Sequence, residues 1–511
     1  MDKLSHLSSF TFKKKKIGLN NSSLPIFLVH AVRKFNNIAF FANKEYEIYN
    51  LKKRILQIDP KIKILLFPEF DCPFFSNIGP SNEIISERMH SLYNLLFLEK
   101  KRIIFISTIK SIVYNTTCKE SLLKKKFNIN LSSKKDIYDQ IINFLSLNGF
   151  KRVDFVSRKG EYGIRGDILD LFSPNEEYPA RLTFDLHKIE DLRVFDSIEQ
   201  SSIKKIESYN LFPASEIIFN NKNITFFRES YRKLNITDKG EFYKGISNNL
   251  ILPGSEQFYP ILNDSYNSII KYLDNFHFFF ENNYLDFFQS NFNELISENS
   301  ILEELLKLES DFFLRTNDFL KYLRKFNCSL IVNYEMTDHD LEIFSRNLFK
   351  FKKNKKNLKK IISLIRDSSD FERFVFCIES KMYSKRLKSF FDSNFINHQE
   401  INQSDNLSKE KVLIFKNKID ESFEIQGNKY KYFFISESDI FDSVIKKETK
   451  KRISSDKLIT EFSQLNLGDY IVHLDHGIGK YLGLRRQIVN DIEQDFLEIE
   501  YYGNDKLLIP V

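Results

Sequence analysis

Several α/β units followed by a small, strongly bent β-barrel are what the residue pattern of this 511-residue chain calls for. Three observations carry that reading. Through the first 125 or so residues short apolar runs alternate with helix-period segments, the rhythm of a parallel sheet. The 15 glycines are scarce but clustered: Gly160, Gly163 and Gly166 fall within seven residues, and Gly468, Gly477, Gly479 and Gly483 within 16. A backbone that bends so often over so few residues makes tight turns between short strands. Near the end, Asp495 to Tyr502 alternates Leu497, Ile499 and Tyr501 with Glu498, Glu500 and Tyr502, and Gly503-Asn504-Asp505 turns the chain into Leu507-Leu508-Ile509.

Residues 1–127 read as the first α/β unit, with strands at Ile38 to Ala42, Ile62 to Phe67 and Ile103 to Ile106 and a helix from Glu83 to Leu98. Gly18-Leu-Asn-Asn-Ser-Ser-Leu-Pro25 stands where a nucleotide-binding unit would carry its phosphate loop, but Gly-Lys-Ser/Thr is missing. Without the lysine for the β and γ phosphates and the hydroxyl for magnesium, the loop is not expected to hold ATP. Residues 128–212 form a second unit, a helix from Lys134 to Asn148 stopped by Gly149, then strands in Lys159 to Pro174, Ala180 to Leu186 and Asp191 to Asp196. Residues 213–330 are aromatic and mostly helical, as in Phe276 to Phe280 and Ile301 to Leu308, and read as the returning half of the first unit, their aromatics as core. Residues 331–445 look like a small separate α/β domain with strands Phe374 to Ile378, Val412 to Phe415 and Tyr432 to Ile435 and a helix from Lys381 to Phe391. A basic linker, 446–463, leads to the barrel, 464–511.

Composition bounds the function. Four distant cysteines, Cys72, Cys118, Cys328 and Cys377, encode neither a disulfide framework nor a zinc ribbon, and no signal or membrane-spanning stretch is present, so a soluble, cytoplasmic protein is expected. A net charge of +7, from 76 Lys/Arg and 69 Asp/Glu, permits a nucleic-acid partner without identifying one. The bias toward Lys, Asn, Ile and Phe, all with AT-rich codons, makes surface lysines poor functional markers. The runs Lys352 to Lys360 and Lys446 to Arg452 therefore read as solvated faces or linkers.

Two places carry chemistry. In the second unit Leu182, Phe184 and Leu186 point one way and Arg181, Thr183 and Asp185 the other, which puts Arg181 on an outward face; Arg165 and Arg193 alternate likewise. Outward arginines suit carboxylates on a protein partner; the residues alone fit a pair of surface salt bridges, each worth about 0 to 1 kcal/mol, at least as well. Gly468 to Val511 holds eight Asp/Glu against four Lys/Arg, so the barrel fits a protein partner better than a nucleic acid. His473 and His476 as a metal pair lack two further ligands.

The run His473-Leu-Asp-His-Gly-Ile-Gly-Lys-Tyr-Leu-Gly483 closely resembles the RNA-polymerase-interaction domain of the bacterial transcription-repair coupling factor family (Mfd), shared with CarD-type regulators. Lys159 to Pro174, with Leu211-Phe-Pro-Ala-Ser-Glu216, resembles the module that these factors share with the excinuclease component UvrB, on which both bind a second excinuclease component, UvrA. The resemblance spans essentially the whole chain. It implies a UvrB-like α/β module with an inserted α+β domain, a small α/β domain and an SH3/Tudor-like C-terminal barrel. Arg165 and Arg181 would bind UvrA, and Arg485, Arg486, Gln487 and Ile488 would lie on the edge laid against the RNA polymerase β subunit. Asp185 stands near where the family has an aromatic, and Gln487 where an apolar residue is expected; Ile488 either does that work or belongs to the barrel core.

The implied function is a bridge joining stalled transcription to nucleotide excision repair. The whole family protein is an ATP-dependent DNA translocase, but no G-x-x-x-x-G-K-[ST] occurs in these residues, and Asp420-Glu-Ser-Phe423 only echoes an ATPase acidic box. The expectation is therefore no catalytic, cofactor or metal site here, ATP, magnesium and DNA belonging to the family's motor. A chain ending at Val511 would also lack the family's C-terminal cover over the UvrA surface. The alternatives are a UvrB-type ATPase, a CarD-like regulator and the truncated product of a decaying gene.

Overall fold

The computed structural model describes residues 15–72, 79–97, 102–131, 137–185, 188–217, 221–233, 240–248, 250, 255, 259–262, 266–297, 313–333, 341–348, 358–401, 410–441, 468–473, 477–489, 492–501 and 505–510. Two compact units emerge, Met1–Ser443 and Val444–Val511. The chain is a mixed α/β, multidomain protein with several sheets.

A seven-stranded, wholly parallel sheet organises the first unit, in the order Leu341–Ile343, Lys16–Leu19, Cys328–Asn333, His277–Glu281, Asn37–Ala42, Ile103–Thr108, Lys63–Phe67. Strands Asn37–Ala42, Lys63–Phe67 and Ile103–Thr108 are buried on both faces, which is why they read as continuous apolar runs. Successive residues feed two cores: Phe41, Phe67, Phe105, Phe278 and Phe280 lie in one, Phe40, Leu66, Ile104, Ile106 and Phe279 in the other. The aromatic run at 276–280, expected to be helical, is thus a central strand. Five consecutive aromatic residues have no helical period, and Phe278, Phe279 and Phe280 in succession bury fully only where both faces are covered. Strands Lys16–Leu19 and Leu341–Ile343 have no counterpart in the sequence reading. Ile301 to Leu308 lie outside the described residues.

The insertion between strand Ile103–Thr108 and strand His277–Glu281 holds a six-stranded sheet. Its order is Ser202–Lys205, Lys188–Phe195, Ala180–Asp185, Ile168–Leu171, Glu161–Arg165, Lys151–Arg152, antiparallel except for the last pair. Helix Ile137–Leu147 buries Ile137, Ile141 and Leu145, one face at four-residue spacing, against Leu169, Leu171, Leu182 and Leu192. Gly149 follows it with φ +78°, the left-handed stop its sequence position suggests.

A third sheet runs Ser345–Asn347, Phe423–Gln426, Lys431–Ser436, Glu372–Cys377, Val412–Phe415, Gln399–Ile401. Its Val375, Leu413, Phe423 and Tyr432 share a hydrophobic cluster with Ile17, Phe27 and Phe40, so it packs onto the first sheet's layer instead of standing free.

In the second unit, Tyr470–His473, Gly477–Val489, Ile492–Glu500 and Lys506–Pro510 form an antiparallel four-stranded meander. Among the described residues its first and last strands are not paired with each other. The register shifts between Tyr481 and Gly483, where Gly483 takes φ +122°: a bulge that bends the long strand.

Candidate protein-interaction surfaces

The strands of the insertion sheet alternate as their sequence requires. Leu169 and Leu171 enter the core, and Asp170 between them faces the other way, directly opposite Arg181 on the neighbouring strand. Asp170 is nearly inaccessible, and both expected arginines converge on it. Arg181 gives a fork, Nε to Oδ1 at 2.7 Å and Nη2 to Oδ2 at 2.9 Å, while Arg165 donates through Nη2 to Oδ2 at 2.5 Å. The hydrogen bonds that Arg181 donates to Asp170 raise its guanidinium above its ordinary range. Each arginine also lies over an aromatic ring, Arg181 4.5 Å from the Phe195 centroid and Arg165 5.1 Å from that of Phe155. Arg193 and Lys205 share Asp191, whose carboxyl is held below the usual range by Lys205 first and then Arg193. Asp185 is exposed at the end of its strand.

At the loop expected to have lost its nucleotide, strand Lys16–Leu19 runs through a 3-10 turn, Asn21–Ser23, into helix Leu24–Phe35. That strand-to-helix turn is where a parallel sheet binds phosphate. Here the third sheet covers it. The Asn20 N–H donates to Ser345 Oγ at 2.8 Å, its side chain bonds Asn347 and reaches Glu421 Oε2 at 3.3 Å, and Ser23 Oγ meets Ser345 Oγ at 2.6 Å. Glu421 N donates to Ser22 Oγ at 3.0 Å, and Arg54 pairs with Asp420 at 2.8 Å, so the acidic echo at 420–423 is spent on closing this contact.

In the second unit, strand Tyr470–His473 pairs with Gly477–Lys480 alone, whereas Ile492–Glu500 pairs with the long strand from Lys480 to Val489. Among the described residues, Leu484 to Val489 therefore carry a partner strand on one edge only. Arg485, Arg486, Gln487 and Ile488 occupy that stretch, in register with Phe496, Asp495, Gln494 and Glu493. The Arg485 side chain is about half exposed and reaches Glu498 Oε1 at 3.4 Å, which Lys506 also contacts at 3.0 Å. His476 lies outside the described residues.

Residues 129–217 match the UvrB interaction domain, and residues 465–511 the CarD-like/TRCF RID domain. Transcription-repair-coupling factors align along most of the chain. That of Rickettsia typhi is 27% identical over 486 residues, covering 92% of this chain and 42% of the relative. That of Staphylococcus aureus is 26% identical over 505 residues, covering 93% and 42%, and that of Bacillus subtilis 28% over 407 residues, covering 73% and 34%. The chain is thus similar to transcription-repair-coupling factors along most of its own length. It spans about two fifths of the length of the curated relatives it matches.

Beside the arginines expected from the sequence, the fold brings in residues that sequence reasoning passed over. Asp170 carried a signal, an acid between two core leucines on a strand adjoining both arginines. The loop residues around Phe155 and Gln200 carried none, because only the tertiary path of the chain places them beside Arg165 and Arg181.

Proposed function

We propose that the chain bridges RNA polymerase and UvrA and so couples stalled transcription to nucleotide excision repair, as the names of its relatives suggest. The observation that carries this reading is the presence in one chain of a UvrB interaction domain match and a CarD-like/TRCF RID domain match. In the first, Arg165 and Arg181 stand on one outward face. On this reading they are the UvrA anchors. Arg485, Arg486, Gln487 and Ile488 lie on the strand edge offered to the polymerase β subunit, where a partner strand can add, and the meander curls into an SH3/Tudor-like barrel. The reading also takes the chain to be without ATP of its own, since Asn20, Ser22 and Ser23 are engaged by Ser345, Asn347 and Glu421.

The test is ternary assembly. Immobilised chain is loaded with RNA polymerase and then exposed to UvrA. The proposal expects UvrA to add to the loaded surface as it does to the bare one; mutually exclusive binding, or binding of neither, would overturn it.

A further inference from the structure

Two exposed apolar side chains flank the arginine pair on loops that are fastened down. Phe155 is 65% exposed and Ile198 91% exposed. The Phe155 loop is held at every step. Val153 N donates to Tyr162 O at 2.9 Å, Val156 is fully buried, and Ser157 N and Arg158 N both donate to Glu161 Oε2, at 2.9 and 2.8 Å. The loop also lies tight over Gly163, where a Cβ would sit 2.9 Å from Val153 O. The Ile198 turn is equally fixed: Asp196 Oδ1 accepts from Ile198 N and Glu199 N at 2.8 Å each, and Gln200 takes φ +57°. Gln200 ties the parts together, its Nε2 donating to Val156 O at 3.0 Å while its own carbonyl accepts from Arg181 Nη1 at 3.4 Å.

A phenylalanine and an isoleucine left in water on braced loops gain nothing for the fold by their exposure, and the bracing removes the entropy that ordering them on binding would cost. Apolar anchors beside arginines whose charge a partner can desolvate are the composition of an interface centre.

We propose that Phe155 and Ile198 are the apolar anchors of the UvrA-docking surface, with Asp170 as the positioning residue that presents Arg165 and Arg181 between them. This rests on the UvrA reading of the arginines. The partner patch it requires is apolar and bordered by carboxylates.

Surface plasmon resonance on the full chain with purified UvrA tests it. Phe155→Ala and Ile198→Ser are each expected to weaken binding about tenfold or more, with Phe155→Trp retaining most of the affinity and the melting temperatures of all variants unchanged. The deficits of the apolar variants should persist at about 0.5 M salt, where that of Arg181→Ala shrinks. Wild-type binding that Arg181→Ala weakens but Phe155→Ala and Ile198→Ser leave untouched would overturn this inference and leave the docking reading standing. Failure of Arg165→Ala and Arg181→Ala to change affinity would sink both.

Discussion

Arg88 and Glu216 form an ion pair that solvent does not reach, Nε to Oε1 at 2.5 Å with side-chain exposures of 0% and 4%. It joins helix Asn82–Leu96 of the first unit to the segment leaving the insertion. The Arg88 guanidinium is sandwiched 3.8 Å from the Phe67 ring centroid and 4.1 Å from that of Phe70, and donates to Pro68 O; Thr116 and Thr117 satisfy Glu216. Removing one partner leaves a buried charge uncompensated, so Arg88→Met should cost about 3 to 5 kcal/mol in urea unfolding. The double variant Arg88→Met, Glu216→Gln should recover part of that loss. Equal destabilisation by single and double variants would show that the pair acts through packing alone.

The same junction predicts a pH dependence. Burial, then the charge of Lys159, pushes the His90 imidazole down to about 4, and Lys159 Nζ lies 2.9 Å from its Nδ1. The folded chain thus resists a proton that the unfolded chain accepts below about 6.5. Stability is complete above the unfolded value and is lost as pH falls toward 4, by on the order of 3 kcal/mol for this group. His277, also lowered to about 4 by burial, acts in the same window. Glu281 opposes them: burial raises it to about 7, so its contribution is present at low pH and is lost between about 4.5 and 7. His90→Asn should flatten the acid limb of a stability-against-pH curve, and Glu281→Gln should steepen it.

Elsewhere the fold divides into what was legible in the sequence and what was not. The strands at 37–42, 63–67 and 103–108 announced themselves as apolar runs flanked by turns. The 277–281 strand did not, because an unbroken aromatic run has no period to separate a buried strand from a buried helix. Arg165 and Arg181 were placed outward by alternation alone. Their shared carboxylate and the braced loops beside them depend on which strands become neighbours, information that resides in sheet order and not in local spacing.

Closing of the nucleotide position by the third sheet predicts no response to ATP. Titration calorimetry with ATP and magnesium should give no binding heat, and the melting temperature should not rise with ligand. Asn20→Ala should destabilise the chain by about 1 to 3 kcal/mol through its lost bonds to Asn347 and Glu421 without creating affinity. Saturable magnesium-dependent binding would reverse this assignment.

For the second unit, the proposed function makes the edge at Leu484 to Val489, paired on one side only among the described residues, the place where the RNA polymerase β subunit adds. A charge there, Ile488→Arg, should abolish polymerase binding by the full chain while its circular dichroism is unchanged. Undiminished binding would move the contact off this edge.

Arg181 and Arg165 share Asp170 but not equally: Arg181 gives it a two-bonded fork and is 19% exposed, whereas Arg165 gives one bond and is 40% exposed. Both remain able to meet a partner carboxylate with guanidinium edges that Asp170 does not use. Truncating one member of a charged pair buried at an interface commonly costs about 2 to 5 kcal/mol, so Arg181→Ala should weaken UvrA binding roughly 30-fold or more. Arg165→Lys should lose affinity too, since an ammonium cannot bond Asp170 and a partner carboxylate along two edges of one plane. Replacing Asp170 by Asn removes the charge that orients both guanidinium groups, and slower, weaker UvrA association with both arginines still present would assign it the positioning role.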